Sequence, residues 1–153
     1  SGLYLVGEGQ LSDSHLDLRH QVPGCHSEVN YRGLLDGKGR GVFDGRILVA
    51  KEAQETDAHL KNDNLLLSRN AEIDTKPQLE IFADNVACSH GTTVGELDAN
   101  SVFYLRSRGI PEDQARRMLC AGFARTSYQD CGDAALLRRL DALVVERLRD
   151  MGI

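Results

Sequence analysis

Cys88 and His90 stand two residues apart in the stretch ADNVACSHGTTVG, Ala83 to Gly95. A thiolate and an imidazole are the usual ligands of zinc and of softer transition metals. On a strand, residues i and i+2 point to one face, with Cβ atoms roughly 6–7 Å apart. Both groups can then face one bound species. A direct thiol–imidazole bond, of the kind a cysteine nucleophile needs, is out of easy reach. A closed zinc site takes four ligands. The chain's other Cys/His pair, Cys25-His26, is adjacent in sequence and faces opposite sides of a strand. Cys88 and His90 are therefore candidate ligands of an incomplete site. The alternative is a half-buried thiol beside a surface imidazole.

Other chemistry finds less support. The glycine-dense GKGRGVFDG, Gly37 to Gly45, has Gly-Lys without a following Ser or Thr, so it is not a phosphate loop. Asp44 stands where a dinucleotide fingerprint needs a third glycine, so turn glycines are the better reading. No Gly-x-Ser-x-Gly elbow is present. Asp57, Asp63, Asp74, Glu80 and Asp84 are the carboxylates a polysaccharide-cleaving β-solenoid would use. They sit at turn positions where Asp is ordinary, and aromatic residues, the usual sugar platforms, are only 5% of the chain.

The elements that must carry these residues change character along the chain. Short apolar segments at Leu3–Val6, Val42–Phe43, Ile47–Ala50, Leu65–Leu67, Leu79–Phe82 and Thr92–Leu97 are bounded by Gly, Asp or Asn and read as strands. From Ile47 onward they recur about every fifteen residues, which fits an antiparallel sandwich or a parallel solenoid. The triplet Leu65-Leu66-Leu67 favours a strand covered on both faces, and so the solenoid. After residue 98 the period becomes helical. Asp98 caps a helix over Ala99–Arg108 that Gly109 ends, Pro111 opens a second, and Asp133 opens a third with its stripe at Leu136, Leu140, Leu143, Val144, Leu148 and Met151. The expectation is a mainly β portion over 1–97 and a helical region over 98–153.

With 41% hydrophobic residues and 27% charged ones, 153 residues suit one soluble domain or a piece of a larger protein. The net charge of −5 argues against a nucleic-acid partner. Residues 1–100 hold 9 Lys+Arg against 16 Asp+Glu, and residues 101–153 hold 9 against 7, so the basic charge gathers in the helices as Arg. The longest apolar runs are about four residues, too short to cross a membrane. Four Cys without framework spacing, and no signal peptide, predict free thiols in a reducing cytoplasm. The opening Ser-Gly-Leu, without Met, fits an internal piece.

The stretches GRGVFDGRILVA, NDNLLLSRNAEIDTKPQLEIFADNVACSHGTTVG and FYLRSRGIPEDQARRMLCAGF together resemble the SufD proteins of iron–sulfur cluster assembly, from about Cys25 to Phe123. The sister SufB would place a Cys shortly upstream and a Glu at the position of His90. Ser68–Glu72 holds no Cys, and residue 90 is His.

The resemblance implies a right-handed parallel β-helix with a C-terminal α-helical region, in a family much longer than this chain. It implies a non-catalytic scaffold subunit that pairs with SufB and docks the SufC ATPase. It places Cys88 and His90 at the SufB interface, where a transient iron–sulfur cluster forms and no cofactor is held stably by this subunit alone. It places the SufC contact on the helices, with Tyr104, Arg106, Arg108, Gly109 and Phe123 as partner-binding residues. In isolation an open coil edge invites a second copy of the chain. The competing expectation is a purely structural β-solenoid interaction module whose Cys and His bind no metal.

Overall fold

The computed structural model describes residues 1–153. Seven strands precede three helices: β1 (Gly2–Val6), β2 (Leu11–His20), β3 (His26–Leu35), β4 (Arg40–Val49), β5 (Thr56–Leu66), β6 (Glu72–Ile81), β7 (Val86–Gly95), α1 (Ala99–Ser107), α2 (Glu112–Arg125) and α3 (Ala134–Asp150). Odd strands form one parallel sheet in the order β1-β3-β5-β7, and even strands form a second in the order β2-β4-β6. The chain alternates between the sheets. Leu11 pairs with Arg40 and Arg40 with Glu72, so each coil consumes about thirty residues. This is a parallel β-solenoid of about three coils, with β7 opening a fourth. The fifteen-residue recurrence in the sequence is half a coil.

Two apolar clusters fill the interior. One gathers Val29, Phe43, Ile47, Val49, Ala58 and Leu60, and the other Tyr4, Val6, Leu35 and Ala71. A third lies outside the coils, where α2 and α3 cover the outer face of the odd-strand sheet. Leu34, Cys120, Ala124, Val144 and Leu148 are its buried members, with Leu3, Leu5, Leu65 and Leu67 packed against them. The leucine triplet is thereby explained. Leu66 faces the interior, while Leu65 and Leu67 lie under the helices.

Strands β2 and β3 have no counterpart among the segments expected from the sequence. In β2 the interior positions are Ser12, Ser14, Leu16, Leu18 and His20, so three of the five are polar and the apolar alternation is diluted. In β3 the inward Gly33 has no side chain to register. A Cβ there would overlap the Tyr4 ring and the Asn64 side chain, its neighbours above and below in the ladder.

The helices begin and end as their caps dictate. The Asp98 carboxylate accepts from the Asn100 and Ser101 amides, and the Asp133 carboxylate from those of Ala135 and Leu136. Pro111 takes the cap position of α2 rather than its first helical residue. Gly109, at φ +86°, makes the turn between α1 and α2. The helical layer is also tied to the sheet by polar contacts. Arg147 donates to the Leu5 carbonyl at 3.3 Å and Arg32 to the Phe123 carbonyl at 3.3 Å.

Candidate functional site

Strand β7 pairs on one side only, with β5. Its residues 88, 90 and 92 point into the solenoid. Cys88 packs beside Val86 against the interior cluster. The His90 Nδ1 lies 3.0 Å from the Pro77 carbonyl of β6, across the interior, and the Thr92 hydroxyl lies 3.3 Å from that of Thr75. Cys88, His90 and Thr92 are thus inward-facing residues of the coil that no further strand covers. Cys88 is half-buried, while His90 and Thr92 are exposed.

The contacts fix the chemistry of both candidate ligands. A carbonyl oxygen only accepts, so the His90 hydrogen sits on Nδ1 and the Nε2 lone pair is left free. An imidazole held by a backbone carbonyl on one nitrogen and open on the other is how proteins present histidine to a metal. The Cys88 thiol is pushed above its ordinary value, first by burial and further by the Asp57 charge, against a lowering hydrogen bond from the Ala58 backbone. At neutral pH it is a thiol, and it must lose its proton to ligate. No group of three or more His, Cys, Asp or Glu is arranged to hold a metal ion. The stripe presents two donor groups, and a closed tetrahedral site takes four.

The opposite face of the same strands carries a chain of contacts that the sequence reading missed. Asp57 accepts from His26 Nδ1 at 3.2 Å through one carboxylate oxygen and from His59 Nε2 at 2.8 Å through the other. The Ser89 hydroxyl then donates to His59 Nδ1 at 2.6 Å. The order is that of a hydrolytic triad, but it lies on a solvent-exposed sheet face, where nothing excludes water. The signal for it was positional. His26, Asp57 and His59, Ser89 become neighbours only once the thirty-residue register is known. Cys25 takes no part, since its thiol donates to the Val22 carbonyl at 3.2 Å in the turn before β3.

Of the residues expected to meet a partner, four lie together and one does not join them. Helix α1 buries none of its residues, and Phe103 and Tyr104 are 70% and 55% exposed. The Arg108 guanidinium stacks 4.6 Å over the Tyr104 ring, Arg106 pairs with Glu112 at 3.2 Å, and Gly109 follows in the turn. Phe103 and Met118 of α2 are further exposed apolar residues of the helices and were not expected. Phe123 instead lies beneath the Arg32 guanidinium, 4.6 Å from ring to charge, and packs into the cluster between sheet and helices.

The family model for the core domain of SufBD proteins of SUF-system iron–sulfur cluster assembly matches residues 1–123. The chain belongs to the SufBD family. Across 148 residues it is 42% identical to the iron–sulfur cluster assembly protein SufD of Escherichia coli, covering 97% of this chain and 35% of that protein. An iron–sulfur cluster assembly SufBD family protein of Synechocystis is 41% identical over 90% of the chain and 30% of its own length. A chloroplastic protein of Arabidopsis thaliana is 34% identical over 74% of the chain and 26% of its own length. The chain spans about a third of the length of the two bacterial relatives. None of its helices is long and apolar enough to cross a membrane.

Proposed function

We propose that this chain is part of a non-catalytic scaffold of iron–sulfur cluster assembly that works in the cytoplasm. It pairs with SufB at the open β7 end of its solenoid and docks the SufC ATPase through residues of roughly 99–130, on α1 and α2. The cluster under construction is cargo, bound transiently between Cys88, His90 and ligands from SufB. The observation that carries this reading is the placement of Cys88 and His90 on one inward face of a strand with a free edge, with His90 Nε2 unengaged. Two ligands from one subunit hold a cluster weakly, and a partner that supplies the rest also controls release. The exposed Phe103, Tyr104 and Met118, with Arg106 and Arg108 beside them, have the aromatic, Met and Arg character of protein interfaces.

The structural-module alternative draws on the half-burial of Cys88 in an apolar cluster. One experiment separates the two. The double variant Cys88→Ala/His90→Ala is mixed with SufB and SufC and tested for complex formation and for cluster assembly on the complex. The scaffold reading expects intact binding and lost assembly. Intact binding with normal assembly leaves the structural module. Loss of SufC binding on Phe103→Ala/Tyr104→Ala, with SufB retained, is expected for the helical docking face. Self-association of the isolated chain through the β7 edge would appear as a dimer that SufB dissolves.

A further inference from the structure

The solenoid interior is apolar at both ends and polar between them. Tyr4, Asn62 and Asn64 close a hydrogen-bonded ring there, with Asn62 fully buried and Asn64 1% exposed. The Tyr4 hydroxyl donates to Asn64 Oδ1, the Asn64 amide to Asn62 Oδ1 at 2.8 Å, and the Asn62 amide to the Tyr4 oxygen at 3.0 Å. Gly33, between Tyr4 and Asn64 in the ladder, leaves the gap that this contact crosses.

The Asn62 and Asn64 amides also reach the Tyr31 and Thr93 carbonyls at 3.5 Å, and the ring has one side-chain branch. Thr75 of β6 donates to Asn62 Oδ1 at 2.9 Å, and Thr92 of β7 lies 3.3 Å from the Thr75 oxygen. The direction is forced. Asn62 Oδ1 can only accept, so Thr75 spends its hydrogen there and Thr92 must donate to Thr75. The branch therefore runs outward from the core and ends on β7, two residues from His90. The only other side-chain hydrogen bond from an inward residue of β7 to β6 is that of His90 to Pro77, two residues along both strands. Between them sits Gly91, with open space around it.

We propose that Thr92 and Thr75 are positioning residues for His90: their hydroxyl link ties the free end of β7 to the buried Tyr4–Asn62–Asn64 ring and keeps the His90 Nδ1–H on the Pro77 carbonyl. Packing alone does not explain the polar column. Replacing both partners of a buried hydrogen bond by apolar groups of the same shape is close to neutral for stability, and the clusters on either side are apolar. What a polar column adds is a fixed direction and spacing at its exposed end. With the link cut, the residues around Gly91 are held across the interior by the imidazole alone. That contact then has no second anchor two residues away, so the imidazole can leave the Pro77 carbonyl and the Nε2 lone pair loses its fixed aim. The claim about ligand geometry rests on the scaffold reading above, and the claim about the tautomer does not.

The test uses this chain with ¹⁵N-labelled histidine. NMR reads the His90 ring nitrogens, and Co(II) titration reads thiolate-to-metal absorption from Cys88. The exposed Thr92→Val variant is expected to fold, to shift His90 from a single Nδ1–H tautomer to a mixture, and to weaken Co(II) binding by about tenfold, the low end for losing a group that orients a ligand. Thr92→Ser is expected to restore both. Thr93→Val is the control on the same strand. It removes a hydroxyl bonded to Asp63 at 2.7 Å on the opposite face, and it is expected to change neither readout. An unchanged tautomer in Thr92→Val, or equal changes in Thr93→Val, overturns the proposal. If the parent chain shows no Co(II) binding that depends on Cys88 and His90, the scaffold reading of the site fails, and the tautomer result still decides the positioning claim.

Discussion

Removing Asp63 should destabilise the chain far more than removing Arg32, although the two form one ion pair. Arg32 and Asp63 sit between the odd-strand sheet and α2, with side chains only 13% and 8% exposed and 3.3 Å apart. Asp63 has three partners: Arg32, Lys61 at 3.2 Å and the Thr93 hydroxyl at 2.7 Å. Arg32 has the Phe123 carbonyl, the Phe123 ring and Asp63, and its Nε is unpaired. Arg32→Met keeps the stem over Phe123 and leaves Asp63 with two partners. Its cost is the cation–π contact, the hydrogen bond to the Phe123 carbonyl and one of the three Asp63 contacts, about 2 kcal/mol. Asp63→Ala strands a guanidinium in a nearly dry site, and breaking a buried pair in this way costs about 3–5 kcal/mol. The difference of about 2 kcal/mol corresponds to roughly 1 M in urea midpoint at ordinary m-values. The double variant Arg32→Met/Asp63→Ala should be more stable than Asp63→Ala alone, because the stranded charge is gone. Urea unfolding followed by circular dichroism measures all four proteins. Asp63→Ala costing no more than Arg32→Met, or strictly additive effects, would refute the reasoning.

Burial in the helix–sheet cluster raises the Cys120 thiol from 9.0 to about 11, so the folded state keeps a proton that the unfolded state has lost. Its contribution is present in full below pH 9 and fades as pH climbs to 11, about 3 kcal/mol in all, and Cys120→Ala should flatten the stability–pH curve over that window. Tyr128, pushed up to about 12 by burial and by Asp141, leaves a residual slope above pH 10. Gly33→Ala forces a Cβ into the Tyr4 and Asn64 side chains and should lower stability by about 1–3 kcal/mol, read as a fall in Tm; an unchanged Tm would mean the ring has slack. Alkylation followed by mass spectrometry should modify the exposed Cys131 first and Cys120 only on unfolding. Cys88 should react between them, at a rate that rises with pH past neutrality because burial holds its thiol protonated. Phe103→Ala, on a helix that buries nothing, should leave stability within about 0.5 kcal/mol.

How much of this was legible depended on whether the signal was local. The caps at Asp98 and Asp133, the turn at Gly109 and the two-sided burial behind Leu65-Leu66-Leu67 are short-range chemistry, and each was readable in the sequence. So was the shared face of Cys88 and His90, which follows from strand periodicity alone. Strands β2 and β3 were not readable, because Ser12, Ser14 and Gly33 occupy interior positions where an apolar residue would have marked the alternation. The exposed His26–Asp57–His59–Ser89 chain and the buried Tyr4–Asn62–Asn64–Thr75–Thr92 chain were illegible for another reason. Each joins residues from half a coil to two coils apart, and no spacing inside a ten-residue window distinguishes them from ordinary polar strand residues. The resemblance covered the candidate ligands but not the groups that hold them.

The position of Cys88 and His90 at the open end of the solenoid suits a site that must bind and let go. A pair one coil deeper would be walled by another strand, fully desolvated and closed to a partner. A pair on the outer face would be as open to water as His26 and His59. At the mouth, the interior holds one ligand as a protonated thiol and orients the other through Pro77, yet both remain within reach of an incoming subunit. Ligation then requires the thiol to give up a proton, so binding is coupled to proton release. Returning that proton favours departure of the cargo. Under the proposed scaffold reading, the free edge of β7 would make these events depend on the partner. A second chain that pairs along the edge lengthens the sheet, buries Cys88 and His90 and supplies the missing ligands in one step.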